Sequence, residues 1–398
     1  MTATERPDRD AARPAVPAAD LARLTGAKTI TNVALRWIPL FLPTLERAFQ
    51  ATTAQLTTVL GVGELAGMST VVVGRHLDRG RERLVMVVSL VVVAASALVA
   101  LAGTVPAFAV STFLLVLGVA NLTVAGQAWI AHRVDYRWRA RSIGLYETSW
   151  ALALLLGAPL IALSINGFGW RAPFVAVAVA AVLGAVMVQT TVASTRRVVV
   201  HDAPAAPVSR ERITAAAWLV MLGSATTAMA GLSVFVISGS WLDDEFGVST
   251  GGIGAVAVAF GATELVASVS VATFTDRFGK LRSTVAGQAL LVVGLVLMLA
   301  ADELWLGLVG IIVFLLGFEF GFVSSLALVS EAMPSARGST IAISNGVGTI
   351  ARAVAAIGSG WLYSRHGIAG TAGLSATAAC VAAICLVVSR RAGSPGTR

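Results

Sequence analysis

Six ionisable side chains lie inside long apolar stretches of this 398-residue chain. They are Arg36, Glu64, Glu147, Glu264, Glu319 and Arg352. A charged side chain in the hydrocarbon interior of a membrane costs ~2.5 kcal/mol or more, so such residues usually face a bundle interior or a water-filled cavity. A carboxyl there can bind and release a proton, and an arginine beside it can act as its counter-ion or bind a ligand. The expected chemistry is proton transfer or charge recognition within a membrane.

Two interpretations of these residues stay open at this stage. Glu64, Glu147, Glu264 and Glu319 are candidates for carrying a coupling proton, but fixed ion pairs or helix-packing contacts would place them in the same positions. Arg36 lies near the middle of its apolar stretch, where Glu319 is a candidate partner and Glu64 and Glu147 are rivals. All four histidines fall in predicted loops, so any coupling proton is expected on a carboxylate. They are His76, His132, His201 and His366.

The composition explains what must position these groups. The chain is 57% hydrophobic and 13% charged, whereas soluble domains carry about 25% charged residues. Apolar stretches of about 20 residues, each long enough to cross a bilayer, recur along nearly the whole chain. We predict twelve spans: 27–48, 54–74, 84–103, 106–128, 142–165, 172–193, 213–238, 250–274, 283–301, 304–327, 338–361 and 369–389.

The net charge of +8 follows membrane topology. With the N-terminus inside, 24 of the 29 Lys and Arg residues fall on the cytoplasmic side, as the positive-inside rule requires. This pattern places both termini in the cytoplasm and explains the basic character without nucleic acid. The first 25 residues lack an apolar core, so no cleavable signal peptide is expected. Cys380 and Cys385 are expected to be packing residues.

A repeat divides the chain into two halves. Glu64 and Glu264 follow similar glycine-containing segments 200 residues apart, and Asp78 and Asp276 precede similar basic loops. A repeat at half the chain length indicates two homologous bundles, which in a membrane protein is typical of a transporter with its site between them. The expected organisation is a tail at 1–26, a six-helix bundle at 27–193, a linker at 194–212, a second bundle at 213–390 and a tail at 391–398.

The repeated loops resemble those of the major facilitator superfamily (MFS) over about residues 27–390. The first loop contains Gly74, Asp78, Arg79 and Arg83, and its repeat contains Asp276, Arg277, Gly279 and Lys280. In the first loop Gly80 stands one place early, and Arg81 takes the usual position of the second glycine. Proline and glycine positions elsewhere are also similar to the family pattern: Pro39, Pro43, Gly157-Ala158-Pro159 and Gly169-Trp170-Arg171.

The resemblance implies an all-α fold of two six-helix bundles working by alternating access, with spans 3, 6, 9 and 12 against lipid. It also implies that Asp78 contacts the start of span 11 and Asp276 the start of span 5, closing the cytoplasmic side in the outward-facing state. Basic loop residues would add contacts or bind headgroups, although they can equally serve only to set topology: Arg79, Arg81, Arg83, Arg277 and Lys280.

The family branch that this sequence most resembles contains proton-coupled drug and metabolite exporters. It implies efflux of small amphipathic compounds, associated with multidrug resistance, from the cytoplasmic (inner) membrane of a bacterium. The proton is then the coupling ion, with no cofactor or metal, and the expected partners are the substrate and the lipid bilayer, the protein being a monomer. Large apolar groups with a few polar ones would make a tolerant pocket: Trp37, Asn121, Gln127, Trp150, Met221, Thr226, Thr227 and Phe318.

Two alternatives remain beside efflux. The first is uptake or facilitated diffusion of a polar or anionic metabolite, with Arg36 or Arg352 as a substrate ligand. The second is a non-transporting membrane receptor that keeps the fold, against which the retained loop motifs and intramembrane charges argue. The sequence shows no phosphate-binding loop and no metal-ligand spacing, so we expect neither an enzyme nor an ATP-driven pump.

Overall fold

The computed structural model describes residues 18–134, 136–192, 213–333 and 337–393, and within these residues it contains helices and no strand. Ten helical stretches are long and apolar enough to cross a membrane. The last one, Thr340–Arg390, crosses twice because the chain reverses at Gly367, whose backbone angles are φ 56° and ψ −151°. With the more polar first helix, the described chain forms twelve spans in two sets of six.

The first six spans contain several broken helices. Span 1 comprises Ala18–Leu40 and Leu42–Phe49, and span 2 comprises Thr53–Glu64, Leu65–Ser69 and Thr70–Asp78. Spans 3 and 4 are Glu82–Ala100 and Val105–Arg133. Span 5 comprises Tyr136–Glu147, Ser149–Leu152, Ala153–Gly157 and Ala158–Phe168, and span 6 is Ala172–Thr191.

The second six spans are more regular. Span 7 comprises Ala215–Phe235 and Ser238–Phe246, and spans 8, 9 and 10 are Thr250–Phe278, Lys280–Leu299 and Leu304–Glu331. Spans 11 and 12 are the two arms, 337–366 and 368–393, of the helical stretch Arg337–Gly393. The side on which the described chain begins and ends is called the terminal side below, and the opposite side is called the far side.

The breaks follow from local chemistry. Span 1 is interrupted between Pro39 and Pro43, since a proline lacks the N–H that an uninterrupted helix needs. Span 5 widens into a π-helical turn over Ala153–Gly157, just before Pro159. Pro159 has no N–H to donate to the carbonyl one turn earlier, and the wider turn accommodates this missing hydrogen bond. These breaks lie on the two spans that carry Arg36 and Glu147.

Span 1 begins earlier than the sequence predicts. The helix starts at Ala18 rather than residue 27, with Asp20 and Arg23 paired at 2.8 Å in its first turns. Hydropathy marks where a helix becomes apolar, and these polar turns precede that point. The predicted tail at 1–26 therefore ends within the helix, and residues 391–393 of the predicted C-terminal tail continue span 12. The predicted linker at 194–212 lies outside the described residues.

Close helix contacts join the two halves on the far side. A Cβ added at Gly239 in span 7 would lie 2.0 Å from the Leu40 carbonyl oxygen of span 1, and one at Gly360 in span 11 would lie 1.7 Å from Thr57 Oγ1 of span 2. A Cβ at Gly254 in span 8 would lie 2.6 Å from the Ala162 Cβ of span 5. Glycine thus allows the two bundles to approach closely here.

Candidate functional site

A buried ion pair joins the two halves near the middle of the spans. The guanidinium of Arg36 in span 1 binds the carboxylate of Glu264 in span 8 through both nitrogens, Nη1 donating to Oε2 at 2.7 Å and Nη2 to Oε1. Glu264 lies 14 residues from either end of its helix. The side chains are only 6% and 4% exposed. Such bidentate geometry is the strongest arrangement that an arginine and a carboxylate can adopt.

Aromatic rings and a carbonyl complete the arginine's surroundings. Arg36 Nη1 also donates to the Trp150 carbonyl oxygen at 2.8 Å, which the distorted span 5 supplies. The guanidinium carbon lies 4.7 Å from the centroid of the Trp150 ring and 5.3 Å from that of Phe235. Stacking on ring faces stabilises a cation that has lost its water. Arg36, on span 1, is therefore bound by spans 5 and 8, and the Phe235 ring of span 7 covers it.

Glu319 in span 10 lies beside this pair. Glu319 is buried, at 8% exposure. Its carboxyl interacts electrostatically with both Glu264 and Arg36. Two carboxyls and one guanidinium thus share a buried region between the halves. We call Arg36, Glu264 and Glu319 the central cluster. None of the three candidate partners of Arg36, which were Glu319, Glu64 and Glu147, forms its ion pair; Glu264 does.

A second ion pair crosses between the halves. Arg352 Nε of span 11 donates to Glu64 Oε2 of span 2 at 2.9 Å, and Arg352 Nη2 donates to Thr349 Oγ1 at 3.2 Å. These side chains are 36% and 17% exposed. The contact is single rather than bidentate, and both partners are less enclosed by protein than Arg36 and Glu264.

Glu147 belongs to a third polar group, which lies within the first half. Lys28 Nζ donates to Glu147 Oε2 at 2.5 Å, and Gln127 Nε2 donates to Oε1 at 3.0 Å. The Lys28 side chain is 2% exposed and that of Glu147 is 43% exposed. Lys28 lies at the edge of the predicted span 27–48, next to the basic tail, and was not among the predicted site residues; the helix begins ten residues earlier, at Ala18.

Two buried asparagine amides add to the polar side chains inside the first half. Asn32, one turn after Lys28, donates to Ser149 Oγ at 3.1 Å, and Asn121 donates to Ser69 Oγ at 3.1 Å. The oxygen of each amide has no hydrogen-bond partner among the described residues. Both acceptors are enclosed by protein in this conformation.

The predicted pocket residues divide into two groups. Trp37, Met221 and Thr227 are buried in bundle cores, with Trp37 packed edge-on against Phe174 at 5.1 Å and Thr227 bonded to Gln288. These three residues do not line a cavity in this conformation. The second group comprises the other five residues, each with its own contacts. Trp150 lies at the central cluster, Gln127 binds Glu147, and Asn121 binds Ser69. Thr226 bonds to its own helix, and Phe318 stacks on Phe322 and packs against Gly231.

Polar contacts also close the far side between spans 1 and 7. Arg47 Nη1 binds Asp243 Oδ2 at 2.6 Å, and Ser240 Oγ donates to Glu46 Oε1 at 2.9 Å. The cross-half contacts described above extend from the middle of the spans to this side. They show a conformation whose far side is closed.

The repeated loops are built around glycines with positive φ. Gly80 has φ 73° and Gly279 has φ 87°, values that other residues rarely adopt. The early position of Gly80 is therefore what the turn requires. Arg83 donates to two carbonyls at the end of span 6, that of Gln189 and that of Val192 just after the helix, whereas Lys280 pairs with Glu331. Gly74 has open space around it, and Arg79, Arg81 and Arg277 are exposed. The side chains of Asp78 and Asp276 lie outside the described residues, so their predicted contacts stay predictions.

Two histidines that were predicted to lie in loops, His132 and His76, lie in helices. His132 lies within span 4 and contacts Glu82, a buried carboxylate at the start of span 3, while Arg133 Nη1 lies 3.6 Å from the same oxygen. His76 lies in the last helical turn of span 2. These residues were predicted to be in loops because charge at the end of an apolar stretch was interpreted as the end of the helix.

Comparison with solved structures supports the same architecture. A bacterial homologue of the human lysosomal transporter Spinster, in an inward-facing and unoccupied conformation, superposes with a TM-score of 0.75 at 15% identity, covering 94% of this chain and 95% of that one. A D-xylose–proton symporter gives 0.74 at 17% identity over 91% and 96%. The nucleoside transporter NupG gives 0.70 at 13% identity over 95% and 100%.

Sequence comparison extends the likeness over both halves. No curated protein matches the sequence significantly. The family description Major Facilitator Superfamily matches residues 27–237 and 220–398, which covers both bundles. The chain, with its two sets of six spans and its charges between them, therefore belongs to the major facilitator superfamily.

Proposed function

We propose that this protein is a secondary active transporter that couples proton entry to the export of small amphipathic compounds, chiefly organic cations. The observation that supports this is the central cluster, in which a guanidinium from one half and two carboxyls from the other share a buried region. Its groups belong to bundles that must move relative to each other in alternating access.

The physical argument concerns what happens when the far side opens. Arg36 and Glu264 lie on different halves, so opening would separate them and leave charge uncompensated in a region of low dielectric constant. Removing one partner of a buried pair costs roughly 3–5 kcal/mol. A proton or a cationic substrate that neutralises the carboxyl removes the carboxylate's share of this cost, while Arg36 keeps the Trp150 carbonyl and ring of its own half. The cluster therefore permits opening chiefly when it is loaded.

This requirement defines an exchange cycle. In the described conformation, with the far side closed, Glu264 is paired with Arg36 and an organic cation arriving from the terminal side competes with the arginine for the carboxylates. The loaded protein opens to the far side, where protons displace the cation. The protonated protein then returns, releases its protons and restores the Arg36–Glu264 pair. Trp150 and Phe235 supply apolar surface for the substrate.

Uptake of a polar metabolite is the second candidate. The unpartnered oxygens of Asn32 and Asn121, once a change of conformation exposes them, and the partly exposed Arg352 would suit hydroxyl or anionic groups. The D-xylose–proton symporter and the nucleoside transporter among the structural neighbours carry polar substrates by name. In both candidates we assign the terminal side to the cytoplasm, because it carries most of the basic residues, and the membrane to a bacterial inner membrane.

The test is transport by the purified protein in sealed liposomes. With an imposed inside-acid pH gradient, we expect a fluorescent lipophilic cation to accumulate inside and to leave when the gradient is dissipated. Glu264→Gln and Glu319→Gln should each abolish gradient-driven accumulation, whereas Glu303→Gln, an exposed carboxyl on the far side, should not. Gradient-independent signals for all four proteins would refute proton–cation exchange. Accumulation of a pentose or nucleoside inside liposomes whose outside is more acidic than their interior would support the second candidate.

A further inference from the structure

Three polar side chains lie on one face of span 1 between the terminal side and the central cluster. Lys28, Asn32 and Arg36 are spaced four residues apart, so each lies about 6 Å further along the helix axis than the one before it. All three residues are buried, at 1%, 0% and 5% exposure. Buried polar side chains in a membrane span are costly, so they usually serve a function. We call these three residues and their partners on span 5 the polar track.

The polar track joins an enclosed end to a more open one. Each of its span 1 residues donates to span 5, at Glu147, Ser149 and Trp150 in turn. At the inner end, the Arg36 side chain is 6% exposed. At the outer end, the Glu147 side chain is 43% exposed, whereas that of its partner Lys28 is 2% exposed. The track therefore leads from the buried cluster to a carboxylate that the protein encloses only in part.

The middle of the polar track has an acceptor without a protein partner. The Asn32 amide is fixed by its bond to Ser149 Oγ, which itself donates to the Tyr146 carbonyl oxygen at 2.8 Å. The Asn32 side-chain oxygen has no hydrogen-bond partner among the described residues. Buried water molecules in proteins bind polar groups of this kind. A water molecule bound there would be one helical turn from Lys28 and one from Arg36.

The second half has no ionisable residue over the same depth. In spans 7, 8 and 10, no Asp, Glu, His, Lys or Arg lies between the level of the central cluster and the last turns on the terminal side. The polar contacts there include pairs of hydroxyls, Ser224 with Ser325 and Thr275 with Ser324. Hydroxyls of this type do not ionise at neutral pH. The polar track is therefore where ionisable side chains lead from the cluster toward the terminal side.

We propose that the polar track carries protons from the central cluster to the terminal side, with Glu147 as the exit group; this rests on the proton–cation exchange proposed above. Lys28 Nζ passes a proton to Glu147 Oε2 along their hydrogen bond. The neutral amine takes up the next proton from the cluster through water at the Asn32 oxygen, and Glu147 releases its proton on the terminal side. One proton enters at the amine and one leaves at the carboxyl, so both groups return to their starting charges.

Two transport modes of the purified protein in liposomes test this path, because only one of them needs proton release. Accumulation of radiolabelled tetraphenylphosphonium under an inside-acid gradient requires protons to leave, whereas exchange of labelled for unlabelled tetraphenylphosphonium at equal pH does not. We expect Glu147→Gln and Asn32→Leu to slow accumulation at least about tenfold more than they slow exchange. Glu147→Asp, which keeps a carboxyl, should restore most of the accumulation rate.

The control is Glu331→Gln, which removes a partly exposed carboxyl that pairs with Lys280 at the terminal end of the second half. It should change neither mode. Accumulation by Glu147→Gln at the unmodified rate would overturn the exit path and leave proton–cation exchange intact. An equal loss of both modes would also overturn it, because Glu147 would then act on the cation or on stability. If the unmodified protein exchanges tetraphenylphosphonium but shows no gradient-driven accumulation, the proposed function fails, and the path with it.

Discussion

Besides the exposed Arg47–Asp243 pair on the far side, two ion pairs join the halves near the middle of the described spans, and they differ in burial and in direction. The Arg36–Glu264 pair takes its arginine from the first half and is nearly inaccessible, at 6% and 4% exposure. The Glu64–Arg352 pair takes its arginine from the second half and is 17% and 36% exposed. Glu64 and Glu264 are the two glutamates that the repeat matches, yet their environments differ.

The difference indicates separate roles for matched residues. A partly exposed pair with a single hydrogen bond contributes less than an enclosed bidentate pair. A buried pair costs more to separate, because each ion would be left without water or partner. We therefore assign coupling to the buried pair and its neighbour Glu319, and contact between spans 2 and 11 to the exposed pair. Four predictions test this contrast.

The largest effect is expected for Glu264→Gln. Removing this carboxylate leaves the Arg36 guanidinium buried with a neutral partner, and the free energy of unfolding should fall by about 3 kcal/mol. Denaturant titration in mixed micelles measures this change. In Arg36→Gln/Glu264→Gln no charge is left without a partner, so much of the loss should be recovered. A double variant as unstable as the sum of the two single variants would contradict the buried pairing.

Glu319→Gln should separate coupling from stability. Because the Arg36–Glu264 pair stays intact, and because the Glu319 carboxyl has no hydrogen bond or ion pair among the described residues, we expect a change in unfolding free energy of about 1 kcal/mol or less. Proton-driven accumulation of the lipophilic cation should nevertheless be lost. Retained accumulation with the native dependence on the pH gradient would remove Glu319 from the central cluster's function.

Glu64→Gln should change both the unfolding free energy and proton-driven accumulation less than Glu264→Gln does. Its partner Arg352 is 36% exposed and keeps its bond to Thr349, so we expect a loss of about 1 kcal/mol or less and transport that is reduced but still driven by the gradient. The same titration and liposome assay apply. If Glu64→Gln abolished coupling while Glu264→Gln preserved it, the roles assigned to the two pairs would be reversed.

The smallest effect is expected for Arg47→Gln on the far side. Its side chain is 63% exposed, so loss of the bond to Asp243 should change the unfolding free energy by about 0.5 kcal/mol or less. Raising the salt concentration should remove even this difference. A loss that persists in high salt would show that the Arg47–Asp243 pair stabilises far-side closure more than its exposure indicates.

Much of the fold could be predicted from the sequence, and specific residues show why. Spans such as Glu82–Ala100 and Leu304–Glu331 are apolar along their length, so their existence and order follow from hydropathy. The repeated loops, with Asp78 and Asp276, indicated the two halves and the family. The polar first turns of span 1 were missed, because a helix can continue beyond its apolar part.

The partners within the site were harder to predict. Arg36 and Glu264 are 228 residues apart, and no local spacing relates positions on different helices. Trp37 was expected in the pocket but packs against Phe174, since a helix that is apolar on all faces does not reveal which face is inward. Lys28 could have been found by asking what binds Glu147, because a carboxylate in a membrane span needs a partner.

The most direct test of the central claim is a distance measurement across the far side. Spin labels at Ala102 and Asp302, exposed positions in the loops after spans 3 and 9, report the separation of the halves by double electron–electron resonance, with Cys380 and Cys385 replaced by alanine. We predict that Glu264→Gln shifts the population toward the longer, far-side-open distance at neutral pH, and that the unmodified pair does so only when acidified. A distribution in Glu264→Gln identical to that of the unmodified protein, at both pH values, would contradict the claim that the Arg36–Glu264 pair holds the far side closed.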